Sequence, residues 1–134
     1  NWSLYDEQNP SVNLYKTIEY IKKILPITEI IVVGPVPHWN PSLPMFLLSK
    51  NVRLDKEHIF FNNSIKKLLL IDKSLRVEAL NQSVLYLSPI DALCSAENCL
   101  ATVDYKNEII PIASDYGHLT EAGSDFLTRI LLKE

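Results

Sequence analysis

The stretch EIIVVGP, residues 29–35, is the part of this chain that decides its fold. A short, unbroken and largely β-branched apolar run that ends at a Gly-Pro pair predicts a strand buried on both faces, as in a parallel sheet. Helices are predicted before it, over residues 12–25, and after it, over residues 55–73, because apolar residues recur there every three or four positions. A second strand is predicted over residues 83–88.

The last third of the chain predicts a hairpin followed by a helix. The segment LATVDYKNEIIPI, residues 100–112, alternates as two strands do and turns near Lys106-Asn107. The final helix is predicted to begin after an N-cap at Thr120, with Gly123 allowing the helix to approach the sheet closely. Four apolar side chains are expected to face the core: Phe126, Leu127, Ile130 and Leu131. Helices alternating with buried strands indicate an α/β layered fold.

Composition limits the domain count and the classes of partner. The 134 residues, 47% of them hydrophobic, are expected to form a single domain over 1–134. A net charge of -3 with 22% charged residues provides no basic face for nucleic acid or anionic lipid. No apolar run reaches the 18 residues that a membrane span needs. The start at Asn1-Trp2, without a basic region or an initiator methionine, predicts that the chain comes from the middle of a longer protein.

Glycine and histidine spacing argues against several enzyme classes. The chain has three glycines: Gly34, Gly117 and Gly123. Their spacing excludes a Gly-x-Ser-x-Gly elbow, a P-loop and a dinucleotide-binding fingerprint. The three histidines are too far apart for a zinc-binding helix: His38, His58 and His118. We therefore expect no metal and no cofactor in this domain.

Two cysteines, Cys94 and Cys99, lie in a polar loop. A lone Cys-x4-Cys lacks the second ligand pair of a structural zinc site and is not a Cys-x-x-Cys redox motif. Two interpretations remain at this point. The cysteines are reduced, buried thiols of a cytosolic protein, or they form a short disulfide in an oxidising compartment.

An aspartate and a histidine three positions apart, Asp115 and His118, lie in a loop where functional groups of α/β proteins collect. Across a tight turn containing Gly117, the carboxylate can reach Nδ1 of the imidazole. Nε2 is then free to deprotonate a serine hydroxyl. The alternative is structural, with Asp115 capping a turn and His118 a solvated residue at the start of a helix.

The wider pattern favours the catalytic interpretation. DYGHLTEAGSDFL, residues 115–127, resembles the terminal block of the SGNH (GDSL-type) hydrolases. Further segments make the whole chain resemble the SGNH domain fused to the C-terminus of membrane acyltransferase-3 proteins: NWSLY (1–5), VVGPVPHW (32–39), YLSPIDALCSAENC (86–99) and VDYKNEIIPIASD (103–115). The resemblance implies a three-layer α/β/α, flavodoxin-like fold with a mainly parallel sheet. It also implies that Asp115 and His118 belong to a Ser-His-Asp triad.

The third member of that triad has no counterpart here. The family's nucleophile lies in a Gly-Asp-Ser block, a tripeptide that this sequence lacks. We therefore expect the chain to be the C-terminal part of an SGNH-like domain, inactive by itself. The loop after Gly34 also departs from the usual Gly-x-Asn-Asp oxyanion donor, since it reads GPVPHW.

By the same resemblance, the parent protein is an O-acetyltransferase that modifies an extracytoplasmic glycan such as lipopolysaccharide. The acetyl group would arrive through an N-terminal transmembrane acyltransferase domain of the same chain, which places this domain in the periplasm. Trp39 and Tyr116 are expected to stack on the sugar, and His38 is expected in the loop or at the rim. Two interpretations remain for Trp2 and Tyr5, which either stack on the sugar as well or belong to the core. The alternatives are a secreted SGNH esterase or lipase and a non-catalytic SGNH-like binding module.

Overall fold

A computed structural model describes residues 10–132. Trp2 and Tyr5 therefore lie outside the described residues. In chain order, the elements are α1 Pro10–Ile24, β1 Ile31–Val33, α2 Leu43–Ser49, β2 Ile59–Phe61, α3 Ile65–Asn81, β3 Leu85–Leu87, α4 Pro89–Leu93, β4 Cys94–Ser95, β5 Asn98–Leu100, β6 Thr102–Tyr105, β7 Glu108–Pro111 and α5 Glu121–Leu132.

Strands β1 and β3 form a parallel pair, with Val32 opposite Tyr86. These two side chains pack against a cluster made by α1 and α3, whose buried members are Leu14, Ile18 and Leu75. The parallel pairing predicted for this region is confirmed, whereas α2 and β2, which lie between β1 and α3, were not predicted.

The opposite face of this pair differs from the prediction. Side chains alternate along a strand, so Ile31 and Val33 point away from the helices, beside Leu85 of β3. Their exposed fractions are 48%, 55% and 50%, because no element within residues 10–132 covers them. The prediction of a strand buried on both faces is therefore wrong for the described part. That part is a mixed α/β structure, and the expected three-layer arrangement stays a prediction.

The helix predicted over residues 55–73 is confirmed for residues 65–73 and wrong for the residues before them. Residues 59–61 form β2, which pairs antiparallel with β5 so that Phe60 lies opposite Cys99. Helix α3 begins only at Ile65 and continues to Asn81. Burial alternates along β2, with Phe60 inward, as the two-residue period of a strand requires. The pairing with β5 therefore overrides the helical spacing of apolar residues from which the helix over 55–73 was predicted.

The hairpin and the N-cap of the last helix are confirmed. Strands β6 and β7 pair around Lys106 and Asn107, whose φ angles of 55° and 67° match a tight two-residue turn. Thr120 Oγ1 accepts the N–H of Gly123 at 3.0 Å and caps α5. Of the four side chains expected to face the core, Leu127 is buried and Phe126 and Leu131 pack against it. Ile130, at the edge of that stripe, is 42% exposed.

Candidate functional site

Asp115 and His118 form a hydrogen-bonded pair within one turn. Asp115 Oδ1 accepts the backbone N–H groups of Gly117 at 2.9 Å and His118 at 2.8 Å. Asp115 Oδ2 lies 2.7 Å from Nδ1 of the His118 ring. Because an ionised carboxylate can only accept, Nδ1 carries the proton and Nε2 of the neutral ring is left with its lone pair. The predicted reach of the carboxylate to Nδ1 is confirmed.

The same contacts keep Asp115 ionised. The N–H of Gly117, then the N–H of His118 and then its ring lower the pKa of Asp115 to about 2. The carboxylate is therefore negative throughout the physiological range. The negative carboxylate bonded to Nδ1–H orients the imidazole. It also stabilises the imidazolium that forms when the ring accepts a proton as a general base.

The loop after β1 holds this turn from one side. The N–H of Trp39 donates to the carbonyl of Tyr116 at 2.6 Å, and the N–H of Leu43 donates to the carbonyl of Asp115 at 3.1 Å. On the other side, the N–H of Ser114 donates to the carbonyl of His118 at 2.8 Å. The turn is thus fixed between the loop that follows the parallel strand and the start of α5.

Three rings stand side by side at this point. Tyr116 meets His38 and His118 edge-on, with centroid distances of 5.6 Å in both cases. His38 also lies against Gly117, where an added Cβ would come within 2.7 Å of its Cδ2. Burial lowers the pKa of His38, and the negative charge of Asp115 partly opposes that effect. His38 therefore lies beside the pair, in agreement with the rim position expected from the sequence, although its contact with Gly117 was not predicted.

A cavity of about 400 Å³ opens beside the rings. It lies between the 38–42 loop and the first turns of α3, and its polar lining comes from His38, Asn40, Ser42, Ser64, Lys67 and Tyr116. Its volume is within the range of small-molecule sites. Tyr116, 37% exposed, separates the cavity from His118.

The expected stacking role of Trp39 needs correction. Trp39 is 3% exposed and belongs to the core, where its ring packs on Phe46 at a centroid distance of 5.5 Å. The residue contributes to the inner wall of the cavity and offers no free ring face to a sugar. The backbone N–H of Trp39 bonds the Tyr116 carbonyl, while its side chain packs into the core.

Cys94 and Cys99 form a disulfide across β4 and β5, which settles the alternative left open by the sequence. The bond closes a two-residue turn at Ala96-Glu97, in which Ala96 has a φ of 52°. The N–H of Asn62 donates to the carbonyl of Glu97 at 2.7 Å and so connects this turn to β2.

Other groups are absent from the part of the chain that the structure describes. Residues 10–132 contain no set of three or more His, Cys, Asp or Glu side chains arranged to hold a metal ion. The described helices include none that is long and apolar enough to cross a membrane. No serine hydroxyl between residues 10 and 132 is hydrogen-bonded to Nε2 of His118.

Known proteins resemble this chain in sequence and in structure. The family described as "SGNH domain (fused to AT3 domains)" matches residues 1–133. Among solved structures, the periplasmic domain of a lipopolysaccharide acetyltransferase from Salmonella ser. Paratyphi A superposes with a TM-score of 0.70 at 31% identity. The match covers 90% of this chain and 46% of that one, so the chain spans about half of its length. The search of curated proteins gave no match. The chain thus belongs to the family of SGNH domains that are fused to AT3 domains.

Proposed function

We propose that this chain supplies the acid–base half of an O-acetyltransferase active site that modifies a glycan outside the cytoplasm. The observation that carries the proposal is the Asp115–His118 pair, in which Nδ1–H is bonded to a carboxylate and Nε2 has no hydrogen-bond partner among residues 10–132. An imidazole in that state is a suitable general base near neutral pH. Membership of the SGNH family and the resemblance to a lipopolysaccharide acetyltransferase support the reaction class that we propose, acyl transfer through a serine.

In the proposed reaction, a serine hydroxyl attacks the acyl carbonyl and its proton passes to Nε2 of His118. The leaving group takes that proton, so that an acyl-serine and a neutral histidine remain. A sugar hydroxyl then attacks the acyl-serine, its proton passes to Nε2 and is returned to the serine as the sugar ester departs. Asp115 stabilises the imidazolium in both steps.

The serine is the part of this reaction that must come from elsewhere. The sequence has no Gly-Asp-Ser tripeptide, and the chain spans less than half of the periplasmic domain that it resembles. These facts support the proposal that the chain is the C-terminal part of a larger SGNH domain and is inactive by itself. The donor would then be an acetyl group delivered through an N-terminal transmembrane acyltransferase domain of the same protein, with no cofactor in this domain.

The acceptor is proposed to be a sugar of an extracytoplasmic glycan such as lipopolysaccharide. Support comes from the lipopolysaccharide acetyltransferase that the chain resembles and from the hydroxyl- and amide-lined cavity next to Tyr116. Tyr116 and the serine hydroxyls at positions 42 and 64 offer the mixture of ring and hydrogen-bonding groups that a pyranose needs. The proposed location is the periplasm.

The test is His118→Ala in the full-length protein. We expect glycan acetylation to fall by roughly a thousandfold or more, because the general base is lost while the fold remains. His58→Ala is the matched control, since that ring bonds the carbonyl of Arg53 away from the turn. Acetylation is measured by mass spectrometry of the glycan from cells producing equal amounts of each variant. Wild-type acetylation by His118→Ala would refute the proposed role.

Hydrolysis is the second candidate, because the side chain of His118 is 69% exposed and water can reach it. An esterase would release free acetate from an acetyl donor whether or not a glycan is present. Measuring acetate and acetyl-glycan in the same reaction separates the two activities. A third possibility, a non-catalytic binding module, would show neither product and no dependence on His118.

A further inference from the structure

Asn62 is a buried amide that none of the chemistry above uses. It follows β2 directly, is 3% exposed and makes hydrogen bonds in three directions. Its backbone N–H donates to the carbonyl of Glu97 at 2.7 Å, and its Nδ2 donates to the carbonyl of His38 at 2.9 Å. Its Oδ1 accepts the N–H of Ser64 at 3.0 Å, just before α3.

These contacts join three separate parts of the fold. Glu97 lies in the turn closed by the disulfide, and Ser64 precedes the helix that forms one wall of the cavity. His38 begins the loop whose next residues hold the Asp115–His118 turn, through Trp39 N–H to the Tyr116 carbonyl and Leu43 N–H to the Asp115 carbonyl. A continuous set of hydrogen bonds therefore runs from the disulfide turn through Asn62 to the candidate acid–base pair.

We infer that Asn62 is a positioning residue that sets the location of the Asp115–His118 pair, acting through the 38–43 loop. The expected loss of acetyl-transfer rate rests on the proposed function. The expected change at the Asp115–His118 pair does not, and it can be measured separately. Asn62 is 3% exposed, so its loss would leave the His38 carbonyl without the donor that it has in the protein interior, and we expect the loop to shift to satisfy that oxygen. A displacement of about 1 Å at a catalytic group lowers a rate by roughly a hundredfold.

The chemistry of the side chain makes the inference specific. The site needs a donor toward the His38 carbonyl and an acceptor toward the Ser64 N–H on one short side chain, which asparagine supplies. Asn62→Asp keeps the shape and the acceptor but places a carboxylate oxygen against a carbonyl. Asn62→Ser keeps an acceptor for the local turn but cannot reach His38. The neighbouring Asn63 is exposed and provides a matched control.

The kinetic experiment uses the full-length protein with acetyl transfer to its glycan, each rate being divided by the folded fraction from circular dichroism. We expect kcat to fall 10- to 100-fold in Asn62→Asp and Asn62→Ser, with KM changed less than threefold. Asn63→Ala should stay within twofold of wild type. Leu14→Ala, in the cluster between α1 and the parallel strands, serves as a variant of lowered Tm that leaves the loop intact. A merely structural Asn62 would leave kcat per folded molecule unchanged in both Asn62 variants, as in Leu14→Ala.

The second measurement does not depend on any activity. Ring ¹⁵N shifts of His118 in the full-length protein report the fraction of the Nδ1–H tautomer, which the bond to Asp115 favours. We expect that fraction to fall by roughly half in Asn62→Ser and to be unchanged in Asn63→Ala and Leu14→Ala. Wild-type ring shifts in both Asn62 variants would overturn the inference. If the wild-type protein shows no acyl transfer, the proposed function fails and these shifts still decide the role of Asn62.

Discussion

Asp115 stabilises the turn and orients the ring with one carboxylate. Two backbone N–H groups bond to one oxygen and the His118 ring bonds to the other, so the backbone and the side chain of His118 have a common anchor. Removing the charge of Asp115 would weaken its bonds to the backbone of the turn and to the His118 ring. The residue therefore couples the local conformation of residues 115–118 to the protonation of an imidazole.

The pKa of Asp115 gives a direct test of this arrangement. We expect its carboxyl ¹³C resonance to titrate with a midpoint near 2, below the ordinary value of 3.8. A lowered pKa means that Asp115 stabilises the fold fully above about pH 4 and that the contribution is lost as the pH falls toward 2. A midpoint for Asp115 at 3.8 would show that the turn is not formed in solution.

Sequence reasoning found this pair because the hydrogen bonds that join Asp115 to His118 lie within four residues. The other groups around it, His38 and Asn62, come from positions 24 residues apart and meet through a bond from Nδ2 to a carbonyl. No local pattern in either segment reports that contact. Trp39 illustrates the converse error, since its aromatic character suggested a surface role and its packing placed it in the core.

At the level of secondary structure, α5 approaches the hairpin at Gly123. A Cβ at that position would lie 2.1 Å from the carbonyl oxygen of Ile112 and 2.8 Å from its Cγ1. The same oxygen accepts the N–H of Thr120 at 3.0 Å, immediately after the candidate pair. The glycine therefore lets the helix begin where the turn ends.

We expect Gly123→Ala to destabilise the protein by about 1–3 kcal/mol, because the backbone at Ile112 or the helix must shift. Urea unfolding followed by circular dichroism measures the change. Ser124→Ala, exposed on the same helix, is the control and should be neutral or slightly stabilising, since alanine favours helices. Equal stability of Gly123→Ala and wild type would contradict the close packing.

Elements defined by local signals were predictable, and those defined by distant pairing were not. The Lys106-Asn107 turn and the Thr120 cap depend on their own and adjacent residues, and both were found. Strand β2 was missed because its partner β5 lies about 40 residues later, while the apolar residues on either side imitate a helical period.

Across the whole molecule, a buried carboxylate joins α3 to the ends of the parallel strands. Asp72, 4% exposed, accepts hydrogen bonds from the Tyr86 hydroxyl and the Ser88 hydroxyl, both at 2.8 Å, and from Arg76 at 3.1 Å. Burial raises the pKa of Tyr86, and the bond to Asp72 raises it further. Arg76 also pairs with the exposed Asp91. The network holds the helix layer in register with the sheet.

We expect Asp72→Ala to cost about 3–5 kcal/mol, because two hydroxyls and a guanidinium lose a buried partner. Asp91→Ala removes only an exposed partner of Arg76 and should cost less than about 1 kcal/mol. Chemical unfolding of both variants under one set of conditions measures the difference. Equal losses in the two variants would mean that the network does not connect the layers.

One face of the β1–β3 pair is uncovered in the described part of the chain. Ile31, Val33 and Leu85 form an apolar surface that the rest of residues 10–132 leaves open. Parallel sheets are stable when both faces are covered. This observation agrees with the proposal that the chain is part of a larger SGNH domain, and the strand period explains why the apolar run at 29–35 predicted burial on both sides.

The closeness of Asp115 and His118 in sequence also has a consequence for folding. Asp115 and His118 are three positions apart, so little of the chain has to be ordered to bring them together, whereas β2 and β5 must close a much longer loop. Short loops close on the order of tens of nanoseconds, well before distant strands can pair. The pair can therefore form early and repeatedly while the sheets are still assembling. In the proposed enzyme, the late event is the arrival of the serine from a distant segment, so catalytic competence would appear only with the last long-range contacts of the fold.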